Sequence, residues 1–178
     1  MHRPSLRLAA ALLAVAALAG CGGSPAPQKP QAPPPPKPTL ALEPCVAGAR
    51  AAVSRAAGDA RVRTRTTGAS ATEATCVYDA RRMRVEVFVD GNPQAAVRFE
   101  RAVVERDQVA VWSGDHTHAP RLLTGIGQGA DWFPADREVL ATDARLLVSV
   151  KLVRSPPPGR SALRLARVVA AATLRQVP

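Results

Sequence analysis

The densest cluster of chemically capable side chains in this 178-residue chain is Asp115-His116-Thr117-His118. Two imidazoles and a carboxylate fall within four residues. In an extended segment alternate side chains share a face, which would aim His116 and His118 the same way, and neutral imidazole is a common zinc ligand. No third or fourth ligand stands nearby in the sequence, and a lone His-x-His pair in a loop is more often solvated than metallated. A metal-dependent or hydrolytic enzyme built on Asp115, His116 and His118 is therefore kept as an alternative. No metal ligand, catalytic residue or cofactor is assigned. Ser113-Gly114 adjoins the cluster, but neighbours in sequence do not make triad geometry, and no Gly-x-Ser-x-Gly turn occurs. Gly125, Gly127 and Gly129 surround Ile126 and invite a phosphate-loop reading, which needs a helix N-terminus to follow. Pro134 breaks any such helix, so the expectation is a strand with tight packing or a bulge. Trp112 and Trp132 flank the two motifs, and together with His116 and His118 they are the candidate lining of a ligand groove.

Cys21 carries more information than any of these. Arg3 and Arg7 precede an apolar run from Leu8 to Ala19, and Leu18-Ala19-Gly20-Cys21 closes it. The run is about a dozen residues, too short for the ~20 that a membrane-spanning helix needs, and it suits the apolar core of an export signal. The order of charge, grease, small residues and cysteine resembles a bacterial lipoprotein signal peptide. That resemblance implies cleavage after residue 20 and a diacylglycerol on the Cys21 sulfur. Residues 1–20 are then the signal peptide. Residues 21–39, with prolines at 25, 27, 30, 33, 34, 35, 36 and 38, are an acylated cysteine and a disordered spacer. At ~3.1 Å per residue in polyproline II, such a spacer reaches roughly 50 Å.

With Cys21 acylated, Cys45 and Cys76 are left, and two cysteines in an oxidising compartment read as one disulfide. The chain-entropy model values a loop of this size at roughly 3.5 kcal/mol. Loss of residues 1–20 removes Arg3 and Arg7, leaving 22 basic residues against 14 acidic ones, a formal charge of +8. Nucleic acid is not the expected partner: export separates the two, aromatic residues are 3% of the chain, and the arginines are scattered along it. Weak attraction to anionic lipid heads or wall polymers is the expected consequence of the charge.

These groups need a scaffold, and residues 40–178 are long enough for a single domain with a real core. Pro44 suits the first turn of a helix in which Leu42, Val46, Ala49 and Val53 form a stripe, stopped at Gly58. Residues 59–75 show no clear period. Residues 74–78 read as a strand, and 82–89 as the clearest one, with Met83, Val85, Val87 and Val89 on one face. Asn92-Pro93 opens a helix reaching Val104 or a little beyond, with Ala96, Phe99 and Val103 inward. A polar loop from Ser113 to Pro120 follows. Strands are expected at 138–141 and 145–154, the latter with Leu146, Val148, Val150 and Leu152 on one face. After Pro156-Pro157-Pro158-Gly159, Ser161 caps a last helix with Leu163, Ala166, Ala170, Leu174 and Val177 inward. Consecutive strands with helices between them predict an α+β fold, an antiparallel sheet with helices packed on it.

Cys45, Cys76-Val77-Tyr78, Gly125 to Ala130, and the helix from Ser161 to Val177 occur in an order that resembles exported actinobacterial lipoproteins of unknown function. The resemblance covers about residues 40–178. It implies a PsbP-like sandwich, a twisted antiparallel sheet between helices. It supplies no catalytic residue, and Gln128-Gly129 stand where that family has an acidic residue. The expectation is a membrane-anchored extracytoplasmic lipoprotein of the cell envelope. It would serve as a non-enzymatic binding or interaction module for an envelope protein, a lipid or a cell-wall ligand. A structural accessory subunit of an envelope complex is the further alternative.

Overall fold

The computed structural model describes residues 42–143, 145–154 and 161–177. The expected export signal, Cys21, the expected proline spacer and the Pro156–Gly159 break lie outside the described residues. The chain runs through α1 (Ala47–Ala57), β1 (Arg63–Thr67), β2 (Glu73–Ala80), β3 (Met83–Asp90) and α2 (Ala95–Ser113). It continues through a 3₁₀ turn (His116–His118), β4 (Arg121–Leu122), β5 (Gly129–Phe133), β6 (Glu138–Thr142), β7 (Leu147–Arg154) and α3 (Ala162–Gln176).

All seven strands form one antiparallel sheet in the order β1-β2-β3-β7-β6-β5-β4. A three-strand meander ends at β3, and α2 carries the chain to the far edge. A second meander then walks back until β7 pairs with β3. The two segments with the strictest hydrophobic alternation thus meet in the middle of the sheet. Val85, Val87 and Val89 lie opposite Leu152, Val150 and Val148, and all six are buried. A shift of one residue in either strand would turn its whole apolar set to the other face.

Alternation then decides which helix each strand residue meets. Cys76, Tyr78, Val85, Val87, Val139, Ala141, Val148 and Val150 share a core with Ala49, Ala52 and Val53 of α1 and Leu165, Ala166, Val169 and Ala170 of α3. Phe133, Leu140 and Leu147, of opposite parity, form a smaller core with Ala95 and Phe99 of α2. The sheet is therefore sandwiched, with α1 and α3 on one face and α2 on the other, and the α+β expectation holds. Small residues let α1 and α3 approach closely. The Gly48 amide donates to Gln176 Oε1 at 3.0 Å, and a Cβ at Gly48 would sit 3.2 Å from the Ala172 Cβ.

Three elements, β1, α1 and α2, differ most from expectation. β1 went unforeseen because it is an edge strand, exposed at four of its five positions, and so carries no apolar period. α1 starts three residues after Pro44. Val46 is extended (φ −80°, ψ 145°), and the residues before the helix are held by two groups on β2. Cys76 is disulfide-bonded to Cys45 with a Cα–Cα separation of 5.2 Å. Two residues on, and on the same face, the buried Tyr78 hydroxyl donates to the carbonyls of Pro44 at 3.3 Å and Val46 at 3.4 Å. α2 starts at Ala95 because Asp90 Oδ1 accepts from the Asn92 amide and Asn92 Oδ1 from the Gln94 amide, using the preceding residues as turns. It then runs well past Val104, to Ser113. Two paired arginines hold it to the sheet: Arg98 meets the buried Asp90, and Arg106 reaches Glu138 at 2.8 Å.

Two predictions follow from the β2 fastening. Cys45→Ala/Cys76→Ala, or reduction of the bond that spans 31 residues, lowers the unfolding free energy by about 3 kcal/mol, read from urea denaturation of oxidised and reduced protein. Burial pushes the Tyr78 hydroxyl from its ordinary value near 10 up to about 12. The fold keeps the neutral phenol. Its contribution is therefore complete below pH 10 and is lost as pH rises through about 12. Tyr78 is the chain's one tyrosine, so phenolate absorbance gives a direct reading. The midpoint should lie near 12 in native protein and fall toward 10 in denaturant.

Candidate functional site

The histidine cluster lies where α2 ends. Gly114 takes a left-handed conformation (φ 69°) and closes the helix. Asp115 then caps the 3₁₀ turn, its Oδ1 accepting from the Thr117 amide at 3.1 Å and from the Thr117 hydroxyl. The segment is thus a turn, not the extended stretch expected, and the two-residue alternation that would pair His116 with His118 does not apply to it. His116 is exposed, and the side chain of His118 lies outside the described residues. Among the described residues no group of three or more His, Cys, Asp or Glu could hold a metal ion.

The expected Trp112–Trp132 groove is not formed. Trp112 is 81% exposed on the last turn of α2, whereas Trp132 is 7% exposed and packs in the α1–α3 core. The reason is strand parity. Phe133 faces α2, so its neighbour Trp132 must face away from it.

The glycine run is a packing device. Ile126 inserts into the main core at 3% exposure. Gly127 (φ 54°) lets the backbone press against β6: a Cβ there would lie 2.2 Å from the Thr142 carbonyl oxygen and 3.0 Å from Leu174 Cδ1. The next amide, Gln128, donates to that same carbonyl at 2.7 Å. Gly129 meets the Phe99 ring, with Cε1 3.0 Å from where a Cβ would be. The run therefore packs against β6 and α3 through Gly127 and against Phe99 of α2 through Gly129, and it leads into strand β5 rather than into a helix N-terminus.

Among the described residues one concave surface lies on the α1–α3 layer. A hollow of about 430 Å³ runs between these helices, floored by Ala52, Ala56 and Leu165 and rimmed by Arg55, Ser161, Arg164 and Val168. Ser161 Oγ accepts from the Arg164 amide at 3.3 Å, which starts α3 at this rim. Past the end of α1, which Gly58 closes with φ 62°, a second hollow of about 550 Å³ is rimmed by Asp59, Arg61, Arg81 and Arg82. Asp59 accepts from the amides of Arg61 at 2.8 Å and Arg81 at 3.3 Å, and these bonds hold its carboxyl below the usual carboxylate range. On the opposite side of the sheet Asp131, 7% exposed, is shifted upward by burial.

Sequence reasoning did not single out Arg55 or Arg164. A usable signal was there: neither α1 nor α3 contains an acidic residue to offset its arginines. Comparison with protein-family models, with curated proteins and with solved structures finds no match in any of the three.

The glycine reading is checked by Gly127→Ala. The clash with the Thr142 carbonyl and the left-handed backbone together should cost about 3 kcal/mol or more in chemical denaturation. The same change at Gly68, with similar φ but open space around it, should cost only about 1 kcal/mol.

Proposed function

We propose that this chain is a membrane-anchored extracytoplasmic lipoprotein, a non-enzymatic binding or interaction module of the cell envelope held to the bilayer through Cys21. One observation carries the reading. Of the three cysteines in the chain, Cys45 and Cys76 are joined to each other inside the domain, and the one left over is the one that closes the export signal. A disulfide is suited to an oxidising compartment outside the cytoplasm. In this reading the proline-rich residues 21–39 serve as a spacer between lipid and domain. No helix among the described residues is long and apolar enough to cross a membrane, so in this reading lipid supplies the attachment. At about 0.8 kcal/mol per buried CH₂, one acyl chain binds marginally and two or more hold firmly. The kinship with exported actinobacterial lipoproteins belongs to the same proposal and is supported by the link between Cys45 and the Cys76-Val77-Tyr78 strand. An envelope protein, a lipid or a wall polymer is the class of ligand proposed.

Metabolic labelling with a palmitate analogue tests the anchor. Label should enter the expressed chain and partition with membranes, and Cys21→Ser should abolish both. Equal labelling of the serine variant, or unlabelled protein in the cytosol with free Cys45 and Cys76 thiols, would rule the reading out.

A further inference from the structure

Charge is unequally divided between the two helix layers. α1 and α3 together carry Arg50, Arg55, Arg164, Arg167 and Arg175, with no aspartate or glutamate. All five side chains are exposed. Among the described residues, which include every acidic residue of the chain, none of the five forms an ion pair. Arg167 donates to the Thr124 carbonyl, and the others reach solvent. Across the sheet, α2 matches Arg98, Arg101 and Arg106 with Glu100, Glu105 and Asp107, and each of its arginines is paired. A compositional preference for arginine acts on every segment alike and does not account for a neutral layer on one face and an acid-free layer on the other. Between the arginines the outer surface is small and apolar, with Val168 42% exposed beside the hollow that Arg55 and Arg164 rim.

We infer that the α1–α3 layer is the surface on which the domain lies against an anionic phospholipid bilayer, Arg55 and Arg164 engaging headgroup phosphates over the hollow between the helices. The inference rests on the lipid-anchor reading for its location, since a tether through Cys21 keeps the domain within reach of the bilayer. Charge complementarity selects the occupant. The guanidinium fork matches phosphate oxygens and is weakly hydrated, so it enters a headgroup layer more readily than an ammonium. The negative surface potential of an anionic leaflet acts within a Debye length, about 8 Å at physiological salt, so only a layer laid flat on the surface profits from it. The residues upstream of the domain do not oppose this: the chain has no acidic residue before Glu43, and the spacer carries Lys29 and Lys37.

The experiment uses the chain from residue 21 onward carrying Cys21→Ser. It keeps every residue of the described core and has no acyl chain, so the protein surface alone is read. Its flotation is measured with vesicles of phosphatidylcholine and with vesicles containing phosphatidylglycerol. Binding should require the anionic lipid and disappear as salt is raised from about 0.05 to about 0.5 M. At about fivefold in partitioning for each basic residue near the surface, Arg50→Gln/Arg55→Gln/Arg164→Gln should weaken it about a hundredfold, while Arg101→Gln on α2 leaves it unchanged. These arginines are exposed and unpaired, so the variants should fold; circular dichroism and an intact disulfide check this, and the salt titration needs no variant. Equal binding to neutral vesicles, an equal loss from Arg101→Gln, or soluble polyglutamate held as tightly as the vesicles would each overturn the assignment. Because the protein is unacylated, failure here leaves the Cys21 anchor standing, and failure of palmitate labelling leaves this surface standing.

Discussion

The fold depends on how residues 44–46 are fastened to β2. A chain of this size can bury a sheet face only if the helices that cover it arrive in the right place, and α1 is a short helix built largely of alanine. Alanine gives good helix propensity but little buried area, so packing alone locates α1 weakly. Cys76 and Tyr78, two residues apart and therefore on one face, supply the missing constraint, one by a covalent bond and one by hydrogen bonds to backbone carbonyls. With the entry to α1 set, α3 docks beside it through small residues, and the main core closes over β2, β3 and β7.

The second helix layer is held by different physics. α2 buries few large side chains, Phe99 foremost, and depends on charge. Arg98 reaches the fully buried Asp90, and Arg106 lies over the Phe133 ring at 4.2 Å while bonding Glu138, which also accepts from the Ser149 hydroxyl. These are partly or wholly buried carboxylates, and removing either arginine would leave an uncompensated charge, which costs far more than an exposed pair. The two layers thus differ in their arginines: Arg98 and Arg106 of α2 pair with carboxylates of the sheet, while those of α1 and α3 meet solvent with no acidic partner, and this difference gives the α1–α3 surface its character.

Much of the scaffold was legible in the sequence. The alternation in β3 and β7 and the Ser161 cap of α3 read correctly, and the α3 stripe held at Ala166, Ala170, Leu174 and Val177 but missed the buried Leu165 and Val169, because each element has one buried face and so writes a period into the sequence. β1 was silent, since an exposed edge strand of arginine and threonine buries nothing. α2 outran its expected end because its second half lies largely in solvent: Val104, Val109, Val111 and Trp112 are all more than half exposed, and helical continuity there needs no apolar face. The candidate site was the least legible part. His116 and His118 looked aligned only under the assumption of an extended backbone, and the tryptophans looked adjacent only along the chain.

From the sequence alone came the pairing of Cys45 with Cys76 and the α+β class. Each depends on local order, on cysteine count or on a short-range period. Tertiary structure decided which side of the sheet each side chain takes. It turned Trp132 inward and left Trp112 outside, spent the glycine run on a close approach to Thr142 and Leu174, and brought Arg55 beside Arg164 from opposite ends of the domain. The reason is that strand parity and helix docking are set by pairings between residues distant in the chain, and no local window of sequence contains both partners.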